Sequence, residues 1–264
     1  MTQTEAITYS SYLKVPELLE LQQRKSRPEE HDEMLFIIIH QVYELWFKQM
    51  LHEGDHLKEQ LVEGSDEPAF ATIQRMLTVL KTMVSQVDIL ETMTPISFLS
   101  FRDFLQSASG FQSAQFREFE FMLGYKRPRP LENYPEGSPE RIALERRYHE
   151  PSVWNALCQW LKNRGFKVPA SLTEGEHTTP TEACPEFHPE LIRLYKEHPH
   201  ERALCEHLVD LDEGIQEWRY RHVMMVQRTI GMRTGTGGSP GVEYLRGTLF
   251  NPLFPDLWAI RVDL

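Results

Sequence analysis

The chain has 264 residues, 41% of them hydrophobic and 11% aromatic, ample for a sizeable core, and its formal net charge is −11. An acidic balance of that size repels phosphate backbones and anionic bilayers, which excludes nucleic acid and a membrane surface as partners and leaves a small molecule or another protein. Three cysteines, Cys158, Cys184 and Cys205, are odd in number and fit no C-x-x-C spacing, so neither a disulfide framework nor a zinc ribbon is expected, as suits a reducing cytoplasm.

The opening MTQTEAITYSSYL lacks the basic and apolar regions of a signal peptide, and the longest apolar run, Met34 to Ile39, is too short to span a bilayer. A soluble cytoplasmic protein is expected. Pro16 at a first helical position predicts a short helix, PELLELQQRK, that gives way at Ser26-Arg27-Pro28. A long helix follows from near Glu30 to Val62, with acidic residues at its start to complement the helix dipole and Gly54 as a kink or break. From Pro68, Phe70, Ile73, Leu77, Leu80, Val84 and Val87 recur in steps of three and four, the seam of a second long helix that stops at Thr94-Pro95. That pair caps the next helix, ISFLSFRDFL.

A break at 107–110 leads into FQSAQFREFEFML, which Gly124 ends. Residues 125–139, with four prolines, read as a loop, and short helices are predicted at 139–148 and 151–164. The stretch 166–187, rich in Pro, Thr, Gly and Glu, reads as a surface excursion. A third long helix from about His200 to Ile230 carries the cleanest period of all: Leu204, Leu208, Leu211, Ile215, Trp218, His222, Met225 and Thr229. The Gly-rich Gly231 to Gly241 ends it, and a short helix and the aromatic LFPDLW close the chain. No strand alternation of useful length occurs, so the fold class is all-α, a single domain over 1–264 of three long and several short helices around one core.

Within Met34 to Phe47 one histidine interrupts an apolar run. Phe36, His40, Tyr43, Phe47 and Met50 form one stripe of the helix, and Leu35, Ile38, Val42 and Trp46 form the next, so the helix is expected to be buried. Of eleven histidines, only His40 and His222 fall on apolar helix faces. Two such groups can be a hydrogen-bonded pair, a metal site or the two sides of a haem pocket, and the large apolar neighbours Phe36, Tyr43, Phe47, Trp218 and Met225 suit a macrocycle. Arg102, set among Phe98, Leu99, Phe101, Phe104 and Leu105, needs an anion: Asp103, Glu118 or Glu120 within the chain, or a substrate carboxylate. Gly235, Gly237, Gly238 and Gly241 permit close backbone approach, with Thr234 and Thr236 as hydroxyls, or else form an ordinary helix stop and loop. Glu53 and His56 match one half of a di-iron carboxylate site, but the other match, Glu174 and His177, lies in a loop.

HDEMLFIIIHQVYELWFKQ at 31–49, TPISFLSFRDFLQSASGFQSAQFREFEF at 94–121 and WRYRHVMMVQRTIGMRTGTGGSPGVEYL at 218–245 together resemble the tryptophan 2,3-dioxygenases, over a span from about Tyr9 to Trp258. The resemblance implies a cytoplasmic all-α homotetramer with non-covalent haem b, opening the indole C2–C3 bond of L-tryptophan with O2 to give N-formylkynurenine. It implies His222 as proximal iron ligand and His40 as the distal histidine facing the indole N–H. Phe36 would line the indole pocket, Arg102 pair with the carboxylate, Thr236 meet the amino-acid end and Gly110 lie over the haem. Tyr9, Tyr12 and Leu13, within an N-terminal segment 1–15, resemble residues given to a neighbouring subunit's site. Phe98 stands where some relatives have a tyrosine that helps bind the carboxylate, which leaves more of that task to Arg102.

Two other functions compete. A haem monooxygenase on the same scaffold would add one oxygen atom where a dioxygenase adds two, and a haem-binding sensor or scaffold without turnover would need neither Arg102 nor Thr236.

Overall fold

The computed structural model describes residues 6–106, 108, 110–233 and 242–264, without the side chains of Phe111 and Tyr244. Twelve α-helices occur among the described residues, and no strand. In chain order they are α1 Tyr9–Leu13, α2 Val15–Leu19, α3 His31–Glu63, α4 Asp66–Leu90, α5 Pro95–Arg102, α6 Ala114–Met122, α7 Pro139–His149, α8 Val153–Asn163, α9 His188–Glu197, α10 Pro199–Ile230, α11 Val242–Arg246 and α12 Pro255–Ala259. The three long ones are α3, α4 and α10, as the apolar periods predicted. No helix among the described residues is long and apolar enough to cross a membrane.

The core forms where the long helices meet. α4 packs against both α3 and α10, while α6 and α8 cover another side of α3. The α10 seam is as periodic in space as in sequence: Leu204, Leu208, Leu211 and Ile215 are buried in the same cluster as Met50, Leu57, Ile73 and Leu80. Helix starts carry side-chain caps, Thr94 as expected and Ser113 at a start three residues later than the sequence reading placed it. Thr94 accepts from the Ser97 N–H at 3.1 Å ahead of α5, and Ser113 from the Phe116 N–H at 3.1 Å ahead of α6.

Three local expectations need correction, and one helix went unpredicted. The second helix ends at Leu19 instead of running to Lys25. The reason lies in Glu33, whose buried carboxylate accepts from the backbone N–H of Lys25 at 2.7 Å and of Ser26 at 3.0 Å and so draws that segment out of a helix. Gly54 does not break α3, which runs unbroken from His31 to Glu63: a Cβ there would overlap the end of the Met122 side chain, so glycine lets α6 approach. α3 is not buried on both stripes, since Ile38 is 42% exposed in the single chain. Finally α9 was not legible as a helix, because its buried Leu191, Leu194 and Tyr195 follow directly on the Pro-rich excursion.

Candidate active site

Two cavities meet between α3, α5 and α10. They share His40, Leu90, Gly110, His222 and Met225 as lining residues. The larger, about 910 Å³ including its mouth, is walled by Tyr43, Phe47, Phe116 and Trp218, with Arg117, Glu120 and Arg219 along one side. The smaller, about 790 Å³, is walled by Phe36, Met93, Phe98, Arg102, Leu105 and Ile230. Both are mainly apolar with a few polar groups, the usual make-up of a cofactor or small-molecule site.

His40 reaches the junction from α3. Its Nδ1 lies 2.7 Å from the Phe36 carbonyl oxygen, which can only accept, so Nδ1 carries the proton and Nε2 the lone pair. Gly110 abuts that lone pair: a Cβ at Gly110 would lie 4.0 Å from His40 Nε2. Burial holds the His40 pKa below its ordinary value, against the opposite pulls of the Phe36 carbonyl and Glu44, so the ring is a neutral acceptor at physiological pH. Phe36 lies against it, ring centroids 4.1 Å apart, and continues into Phe98 at 5.8 Å and Phe101 at 5.6 Å.

His222 faces the same junction from α10, one turn after Trp218. The two rings stack at 5.3 Å with planes 3° apart. Burial first, then His40 and Arg117, lowers the His222 pKa to about 4, which leaves an imidazole with a free lone pair across the physiological range. No hydrogen bond to its ring occurs among the described residues. Nor do the described residues hold any group of three or more His, Cys, Asp and Glu side chains able to cage a metal ion. Glu53, half of the di-iron match, is instead bound by Arg75 at 2.9 Å. The neutral His222 imidazole, with no hydrogen bond to its ring among the described residues, at the wall of an aromatic chamber fits a metal whose other ligands come from a macrocycle, and haem b meets that description.

Arg102 ends α5 at the wall of the smaller cavity. Two of the internal partners suggested by sequence are engaged elsewhere: Glu118 with Arg147 at 3.4 Å, and Glu120 with Arg117 at 2.7 Å and Arg219 at 2.9 Å. Burial by itself would push the Glu120 carboxyl up; Arg117, Arg127 and Arg219 overcome it and hold the group below the usual carboxylate range. This arginine cluster was missed from sequence. Its signal was the same as that of Arg102, a guanidinium set among aromatics in F-R-E-F-E-F and W-R-Y-R-H.

The structure thus brings Phe36, His40, Phe98, Arg102, Gly110 and His222 to one place. Tyr9, Tyr12 and Leu13 are not there: they are 79%, 74% and 45% exposed on α1 and line neither cavity. Thr236 and the rest of 234–241 lie outside the described residues.

The family model for tryptophan 2,3-dioxygenase matches residues 1–164 and 188–264. The chain belongs to the tryptophan 2,3-dioxygenase family. The stretch left unmatched is close to the surface excursion read from composition. Among relatives that bear the family's name, one from Herpetosiphon aurantiacus is 54% identical over 261 residues, covering 99% of this chain and 100% of that protein. One from Anaeromyxobacter sp. (strain K) is 52% identical over 258 residues, covering 97% and 96%. A more distant one from Bacillus anthracis is 38% identical over 263 residues, covering 98% and 94%.

Proposed function

We propose that this chain is a haem-dependent dioxygenase that opens the indole C2–C3 bond of L-tryptophan with O2, giving N-formylkynurenine. The observation that carries this reading, beside family membership, is the pair of neutral histidines at the junction of two cavities, one aromatic and large, the other closed by an arginine. His222 would hold the iron as its only protein ligand. Haem b bound in the larger cavity supplies the redox-active iron that activates O2.

The remaining work belongs to the chain's own residues. Phe36 and Phe98 flank the indole in the smaller cavity, and Arg102 takes the carboxylate in its planar fork. Because Phe98 has no hydroxyl, carboxylate recognition falls largely to Arg102. Thr236, in the Gly-rich stretch, meets the amino-acid end. His40 accepts the indole N–H at Nε2, the nitrogen its bond to Phe36 leaves unprotonated. It positions the ring and removes no proton in an obligatory way, since indole is already electron-rich at C3. Leu90, Met93, Val226 and Ile230 keep the chamber apolar. Gly110 leaves room beside Nε2 and lies over the cofactor. The exposed Tyr9, Tyr12 and Leu13 pack on a neighbouring subunit's site in a cytoplasmic homotetramer.

The test is reconstitution of the purified chain with haem, read as an absorption spectrum. The wild-type protein is expected to show a haem spectrum that shifts with L-tryptophan, and His222→Ala is expected to fold but to lose haem or bind it weakly. A His222→Ala protein with wild-type haem content and spectrum would contradict the assignment.

A further inference from the structure

A third cavity, of about 1270 Å³ including its mouth, shares no lining residue with the two described above. Most of its wall is the excursion 171–186, within the stretch that the family model leaves unmatched, and the rest comes from Gly124 and Lys126 after α6 and from the start of α8. Lys126 is 1% exposed. Its ammonium donates to the carbonyls of Glu150 and of Tyr148, the latter at 3.2 Å, but forms no ion pair among the described residues. The Glu150 carboxylate is taken by Lys58 at 2.9 Å and Arg147 at 2.7 Å. An ammonium has three N–H donors, so one is left over, on a buried charge that only carbonyl dipoles offset. Two further features of the same wall favour an anion. Trp154 is wholly buried and its indole N–H has no partner. The first turn of α8, capped by Ser152, presents the positive end of an eleven-residue helix. His177 adds no charge, since burial and then the Lys126 cation hold its pKa below the ordinary value. Glu176, Glu182 and Glu186 also line the cavity, but all three are solvent-exposed, which puts them at its mouth.

We propose that this cavity is a second ligand site, one that takes an organic monocarboxylate, its carboxylate seated on Lys126 and the start of α8 and its apolar body among Leu172, Pro180 and Pro185. One buried positive charge neutralises one negative charge, and the glutamates at the mouth repel a second, so a dianion is disfavoured. Arg127, the residue after Lys126, pairs with Glu120 at 2.5 Å in the wall of the larger cavity. The site therefore borders the brace of the active site without being part of it.

The test is isothermal titration of the haem-loaded full-length chain with hexanoate, with the neutral hexanamide and the dianionic adipate as comparisons. Wild-type protein is expected to bind hexanoate about ten-fold or more tightly than either, the range for a charge-assisted hydrogen bond to a buried group. Lys126→Met is expected to abolish that preference while leaving hexanamide nearly unchanged. Arg102→Lys, which alters the active site, is expected to leave the preference intact. Should Lys126→Met fail to fold, Thr179→Trp, at an exposed lining position, fills the cavity and is expected to lose hexanoate and hexanamide together. Absent binding, equal affinities for the three ligands, or a preference lost in Arg102→Lys but kept in Lys126→Met or Thr179→Trp, would overturn the proposal and leave Lys126 a structural tie between the carbonyls of Tyr148 and Glu150.

Discussion

The fixed tautomer of His40 gives a quantitative expectation. Nδ1 is committed to the Phe36 carbonyl at 2.7 Å, so Nε2 can only accept, and Gly110 leaves open the space in front of it. An indole N–H placed there makes one neutral hydrogen bond, which contributes about 0.5 to 1.5 kcal/mol net, or roughly two- to ten-fold in affinity. 1-Methyltryptophan lacks the donor and carries a methyl group toward Nε2, so the wild-type protein should disfavour it on two counts. His40→Ala removes the acceptor and opens space together. Tryptophan should then bind roughly two- to ten-fold more weakly while the methylated analogue binds as well as before or better. The assay is anaerobic equilibrium titration of the reduced haem protein, followed by its absorption shift, and haem content should be unchanged. Equal losses for the two ligands would refute the hydrogen bond, and loss of haem in His40→Ala would show that the two histidines had been assigned the wrong sides.

Arg102→Lys should weaken tryptophan binding by about ten-fold or more, since lysine cannot reproduce the bidentate fork, while tryptamine, lacking the carboxylate, should bind both proteins alike. Deleting residues 1–13 removes Tyr9, Tyr12 and Leu13, whose coverage by a neighbour would contribute roughly 1.5 to 3 kcal/mol per fully buried side chain. Light scattering should show smaller species and kinetics a higher KM, with helical content retained; an unchanged tetramer and KM would refute the packing proposal. Lys126 is buried, and desolvation pulls its pKa down to about 8 against the favourable Glu150. Between that value and the ordinary 10.5 the folded state binds fewer protons than the unfolded, so this group makes stability rise with pH over that window. Denaturant curves for wild type and Lys126→Met should therefore diverge upward for the wild type from about pH 8 to about pH 10, and parallel curves would contradict the shift.

The fold was legible wherever one helix face stays apolar for several turns. The α10 seam from Leu204 to Met225 and the α4 seam from Ile73 to Val87 needed only their period, and the cap Thr94 marked the start of α5 by side-chain chemistry. What stayed hidden depends on contacts between distant segments. Nothing local to α2 shows that Glu33 will take up the N–H groups of Lys25 and Ser26, and nothing local to Gly54 shows that Met122 will lie against it. Within the candidate site, His40 and His222 stood out because each interrupts an apolar stripe. Arg117 and Arg219 carried the signal of a guanidinium among aromatics, but their shared partner Glu120 and the contacts of Arg219 with Thr248 and Asn251 join segments far apart in sequence. Sequence showed which histidines leave water; only the packing of α3 and α10 against α4 shows that they leave it for the same place.

The central claim is the reaction, and the most direct measurement is the mass of the product formed from L-tryptophan by the haem-loaded chain under ¹⁸O2. The account predicts a product heavier than tryptophan by two oxygen atoms, both labelled at early times. A product carrying a single labelled oxygen would make this chain a monooxygenase on the same scaffold, and no product from a haem-replete, tryptophan-binding protein would leave it a haem-binding protein without turnover.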